Sequence, residues 1–125
     1  MSPMAADQER VLAVVGDLFF KSKIQETAKQ AGVALTFVTT EASLREALAG
    51  GGVRLVIVDL GLTSFDPISA ITITRSAGKV RTMAYVSHVN EGAQRAAAEA
   101  GCDAVLPKSV FTRELPRILL QGSGP

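Results

Sequence analysis

Cysteine, histidine and excess charge are all scarce in this chain of 125 residues, and each scarcity removes a class of function. The single cysteine, Cys102, excludes an internal disulfide and fits a reducing cytosol, so a cytoplasmic protein is expected. It follows the helix-stopping Gly101 with no base in reach along the sequence, so it reads as a half-buried, inert thiol. His88 is the one histidine and has no cysteine or acid cluster beside it, which argues against a histidine-built metal site and for a surface or recognition residue. Net charge is +1 and the basic residues form no long block, so charge-driven nucleic-acid binding is not expected. No apolar run approaches the roughly 20 residues needed to cross a bilayer. The acidic, polar stretch Met1 to Arg10 does not resemble a secretory signal. Gly50-Gly51-Gly52 lacks a following Lys-Ser/Thr pair and precedes a strand-like run, so it is a helix stop and not a phosphate loop. There is no dinucleotide fingerprint, which leaves a cofactor-binding enzyme poorly supported.

What is present is a core. Apolar residues make up 47% of the chain and charged residues 20%, enough for one folded domain over residues 10–121, with 1–9 and 122–125 expected as flexible ends. Five short runs rich in Val, Leu and Ile alternate with five segments of helical period. Val11 to Val15 is apolar at every position, the mark of a strand covered on both faces. Phe20, Ile24, Ala28 and Ala31 form the stripe of a first helix stopped by Gly32, with Thr27 at its margin. Val33 to Val38 is a shorter, edge-like strand. Thr40 caps a second helix through Leu44, Ala47 and Leu48. Val53 to Asp59 is the most buried strand, and Asp66-Pro67 opens a third helix despite the β-branched Ile71-Thr72-Ile73-Thr74. Val80 to Val86 is a fourth strand, and Asn90 caps Glu91 to Ala100, which Gly101 stops. Asp103 to Leu106 is the fifth strand. The last helix is expected to begin after Ser109 or after Thr112, with Pro116 near its first turn and Leu115, Ile118 and Leu119 packed inward.

Five β-α units with short crossovers require a parallel sheet with helices on both faces. At this size the expected architecture is α/β, a flavodoxin-like doubly wound sheet in strand order 2-1-3-4-5. Its crevice gathers Gly16 and Asp17, Asp59 to Gly61, Ser87 and His88, then Lys108 and Ser109. An Asp in Val-Ile-Val-Asp59-Leu-Gly-Leu, a hydroxyl at Ser87 and a lysine in Ala104-Val105-Leu106-Pro107-Lys108 stand at three strand ends. With Ala100-Gly101-Cys102-Asp103 before the last strand, the chain resembles the response-regulator receiver (CheY-like) family over essentially its whole length.

The resemblance implies a phosphoacceptor at Asp59, a counter-charge at Lys108 and a phosphoryl-contacting hydroxyl at Ser87. It also implies Mg²⁺ held by Asp17, Asp59 and the Gly61 carbonyl. The departures are equally specific. The family usually ends strand one with two adjacent acids; a gap-free register places Val15 and Gly16 there, and a one-residue slip brings in Asp17. Either way at least one carboxylate is lost, and divalent affinity falls with ligand charge. Gly16 and His88 modify the pocket, the imidazole crowding phosphoryl entry, while Val105 replaces a switching aromatic and Ser109 a proline.

Plainer roles stand beside these. Asp59 can cap its loop or pair with Lys108, and Ser87 can satisfy local backbone groups. Of the adjacent Phe19 and Phe20 only Phe20 continues the buried stripe, so Phe19 is expected near the crevice mouth. The pattern as a whole predicts a stand-alone, degenerate receiver-like signalling domain, not an enzyme, that binds a protein partner or itself through the fourth helix, fifth strand and fifth helix. The alternative is an active response regulator phosphorylated on Asp59 by a histidine kinase, with Mg²⁺ as cofactor.

Overall fold

The computed structural model describes residues 10–88 and 90–120, so the expected flexible ends, and residue 121 at the domain's edge, lie outside the described residues. Within them the chain runs β1 (Arg10–Val14), α1 (Leu18–Ala31), β2 (Leu35–Phe37), α2 (Glu41–Ala49), β3 (Val53–Asp59), α3 (Pro67–Ser76), β4 (Arg81–Val86), α4 (Glu91–Glu99), β5 (Ala104–Pro107) and α5 (Lys108–Leu120). The five strands form one sheet in the order β2-β1-β3-β4-β5, and every pairing is parallel. This is the predicted flavodoxin-like winding.

The all-apolar strands are explained by a core on each face. Val11, Ala13 and Val15 pack with Leu55, Ile57, Met83 and Tyr85 under α1 and α5. Leu12 and Val14 pack with Val56, Val58 and Ala84 under α2, α3 and α4. Successive strand residues point to opposite faces, so a strand buried on both sides has no place for polar alternation.

Local signals set the helix ends. Asp17 and Asp66 cap α1 and α3 through their side-chain oxygens, and Thr40 with Ser43 forms a capping box on α2. Gly101 ends α4 at φ 103°; its amide reaches Ala98 O and the Cys102 amide reaches Ala97 O, the paired bonds of a Schellman motif. In α3 the β-branched run costs helix propensity, yet Ala70, Ile71, Ile73 and Thr74 are all buried, and the Thr74 hydroxyl donates to Ala70 O at 2.8 Å. Packing overrides propensity there.

β2 is shorter than the expected Val33 to Val38, and the last helix departs further from expectation. α5 begins at Lys108, directly after β5, and Pro116 lies inside it, not in its first turn. The cause is Phe111, fully buried, which heads an inward stripe continued by Leu115, Ile118 and Leu119. Burying that ring draws residues 108–112 into the helix, and its apolar gain offsets the backbone hydrogen bond that proline cannot donate.

Candidate functional site

The carboxyl ends of β1, β3 and β4 and the loops that follow them surround an open cleft of about 690 Å³. Gly16, Asp17, Thr39, Asp59, Gly61, Leu62, Thr63, Ser64, Ser87 and His88 line it. Five residues predicted for the crevice besides Asp59 (Gly16, Asp17, Gly61, Ser87 and His88) therefore meet around one space. Lys108 is not among the lining residues.

Asp59 is half-buried at the last position of β3. Its Oδ1 accepts from the Gly61 amide at 2.7 Å, an Asx-type turn that holds the carboxylate against its own loop. A Cβ at position 61 would stand 3.3 Å from that oxygen, closer than nearly all side chains tolerate, so glycine permits the approach. The contact runs through the Gly61 amide, a donor, whereas a metal would use its carbonyl.

β1 ends at Val14, Val15 is fully buried, and Asp17 is the residue that brings a carboxylate to the cleft. Gly16 contributes no side chain, although a Cβ there would meet only Leu62 at an ordinary 3.6 Å. The Asp17 carboxylate is already engaged. Oδ1 accepts from the Phe19 and Phe20 amides at 2.9 and 3.4 Å, and Oδ2 lies 3.6 Å from the Lys108 ammonium. The Phe20 amide foremost, with the Phe19 amide and Lys108 behind it, holds this carboxyl below its ordinary range.

Lys108 was expected as a counter-charge or partner for Asp59. Its ion pair is instead with Asp17, and its ammonium sits 4.5 Å over the Phe20 ring. The start of α5 at Lys108 and the burial of Phe20 fix this geometry together. Ser87 and His88 are both exposed on the loop after β4. Val105 packs toward the α2-α3-α4 side of the sheet.

Two features of the site were missed from sequence. Thr39, Thr63 and Ser64 make the outer wall rich in hydroxyls, and Ser64 donates to Thr39 O at 2.6 Å. Beneath the cleft, in the core and not among its lining residues, Tyr85 is fully buried and opposite Asp59 in the β3–β4 register. Burial first, then the Asp59 charge, pushes the Tyr85 phenol far above its usual range, yet no hydrogen bond of normal geometry closes on its oxygen. The parity it shares with Ser87, two residues on, was the available signal.

These donors do not make a good divalent site. Mg²⁺ and Ca²⁺ take several oxygen ligands. Here one carboxylate caps a helix and a lysine, and the other accepts from an amide. Among the described residues no group of three or more His, Cys, Asp or Glu is placed to hold a metal ion.

Neither a protein-family model nor a curated protein matches the sequence. Solved structures do match. The receiver domain of a sensor histidine kinase from Pseudomonas aeruginosa, with magnesium in its active-site cleft, aligns at TM-score 0.79 and 21% identity over 94% of this chain and 98% of that one. A CheY-like receiver domain protein from Methanospirillum hungatei aligns at TM-score 0.79 and 15% identity, covering 92% and 93%. A Burkholderia pseudomallei response regulator with a phosphorylated aspartic acid and calcium aligns at 0.78 and 15%, covering 92% of this chain and 68% of that one. At these identities the shared property is architecture, and the chain has the receiver-domain, CheY-like form of the flavodoxin-like fold.

Proposed function

We propose that this chain is a receiver-type signalling domain that acts by docking a protein partner, with Asp59 as an inherited acceptor position of little or no Mg²⁺-dependent phosphorylation. The observation that carries this reading is the ion pair between Lys108 and Asp17. In an active phosphoacceptor site the acid binds the cation and the lysine faces the acyl phosphate. Here the two neutralise each other, so neither is offered to an incoming phosphoryl group. Ser87 remains at the cleft as a hydroxyl able to meet an anion, and the exposed His88 lines the same space. Partner docking is supported by Leu18 and Phe19, 74% and 91% exposed immediately after Asp17. Large apolar side chains that exposed beside a cleft suit a protein surface better than water. The α4–β5–α5 face is the second docking surface of this reading, for a signalling partner or another copy of the chain.

A small-molecule acyl phosphate with Mg²⁺ tests it. The expected result is substoichiometric or no acyl phosphate on the chain. Stoichiometric, Mg²⁺-dependent labelling that Asp59→Asn abolishes would overturn the reading. The second reading, an active response regulator phosphorylated by a histidine kinase, is favoured by one fact: Asp17, Asp59 and Ser87 line the same cleft. It predicts labelling that Asp17→Ala removes.

A further inference from the structure

Tyr85 is fully buried, and its hydroxyl closes no hydrogen bond of normal geometry although the Asp59 carboxylate acts on it, whereas buried phenols normally have theirs paired. The ring is immobilised on two sides. Phe20 meets it edge-on with centroids 4.9 Å apart, and Phe111 stacks on it at 4.9 Å. Along the sheet Tyr85 is the direct register partner of Asp59, and the Leu60 amide binds the Tyr85 carbonyl at 3.0 Å, locking the two strand ends together. The carboxylates of Asp59 and Asp17 both act on the phenol and keep its proton on, so it can serve only as a donor toward them. Asp17 is occupied by two amides and Lys108, whereas Asp59 has one oxygen, Oδ1, bound to the Gly61 amide.

We propose that Tyr85 is a positioning residue for Asp59: its buried O–H donates to the carboxylate oxygen that the Gly61 amide leaves free, and so caps the atom that would attack a phosphoryl group. This deepens the reading above and rests on Asp59 as the centre of the cleft. A carboxylate oxygen whose lone pair accepts a hydrogen bond is a weaker nucleophile, and a phosphodonor must displace that bond before reacting. The cap reaches Asp59 from inside the sheet. It therefore dampens the acceptor position without blocking the cleft to a partner.

The chain contains one tyrosine and no tryptophan, so tyrosine emission reports on Tyr85 alone. A phenol that donates to a carboxylate loses emission, because its excited state passes the proton across. Emission of the full chain is expected to rise in Asp59→Asn and to stay unchanged in Asp17→Asn. Unchanged emission in Asp59→Asn, or a gain in Asp17→Asn instead, overturns the assignment. The second arm uses acetyl phosphate: the carboxylate oxygen attacks phosphorus, the bond to acetate breaks, and acetate leaves with the electron pair. Tyr85→Phe, which removes only the hydroxyl, is expected to label about ten-fold faster than the wild type, the order set by one charge-assisted hydrogen bond. Equal labelling of the two chains, including none in either, removes the capping role. Failure of the partner-docking reading looks different: stoichiometric labelling of the wild type, whatever the tyrosine emission does.

Discussion

Asp17 holds three donors at once, the amides of Phe19 and Phe20 and the ammonium of Lys108, and this arrangement explains most of what is unusual in the cleft. Its carboxyl is held below the ordinary value of 3.8, first by the Phe20 amide, so the charged form is favoured by folding. A depressed folded pKa contributes stability that is present above 3.8 and is lost as pH falls through the lowered folded value. Asp17→Asn keeps a capping oxygen but has no charge to titrate. Its stability should therefore fall short of the wild type above pH 3.8, and the gap should close on further acidification, as denaturant melts across pH will show. A gap that widens with acid contradicts the assignment. Asp59, Ser87, Asp17 and His88 were legible as crevice residues because strand ends in this winding meet at one edge. The partner of Lys108 was not legible, because it depends on where α5 begins. Tyr85 was hidden by the all-apolar look of its strand, in which a phenol counts as one more core side chain.

Among the elements, α1 shows how one helix serves both core and site. Phe20 is 6% exposed and forms the aromatic contact with Tyr85 and the seat for Lys108, while its neighbour Phe19 is 91% exposed. The two rings point apart because adjacent helix positions differ by about 100° around the axis. Phe20→Ala is expected to cost about 3–5 kcal/mol, as for a large ring removed from a packed core. Phe19→Ser should stay within about 0.5 kcal/mol of the wild type. Urea denaturation of both variants checks this, and a large loss in Phe19→Ser would place that ring in the core. Helix starts at Thr40, Asp66 and Asn90 were readable because capping chemistry is local, whereas the Asp17 cap was not read from the sequence. The start of α5 has no such cap; it is set by long-range burial of Phe111, and Pro116 misled the reading because proline marks helix starts more often than interiors.

For the whole molecule, strand order followed from counting alternating elements and from strands apolar on both faces, and the parallel sheet has that order. Among the described residues no helix is long and apolar enough to cross a membrane. Function is less legible at this scale, because one fold hosts many activities and the difference lies in a few side-chain contacts. The fold brings an Asp, a Ser and a second Asp to one cleft, and then ties the second Asp to the lysine. With Asp17 held by its own helix and by Lys108, these acids are expected not to gather a divalent cation. A Mg²⁺ titration into the millimolar range, followed by NMR at the amides of Asp17, Asp59 and Gly61, tests it most directly. Small, linear, non-saturating shifts that Asp17→Ala leaves unchanged are expected. Saturable shifts centred on those three amides and lost in Asp17→Ala would contradict it.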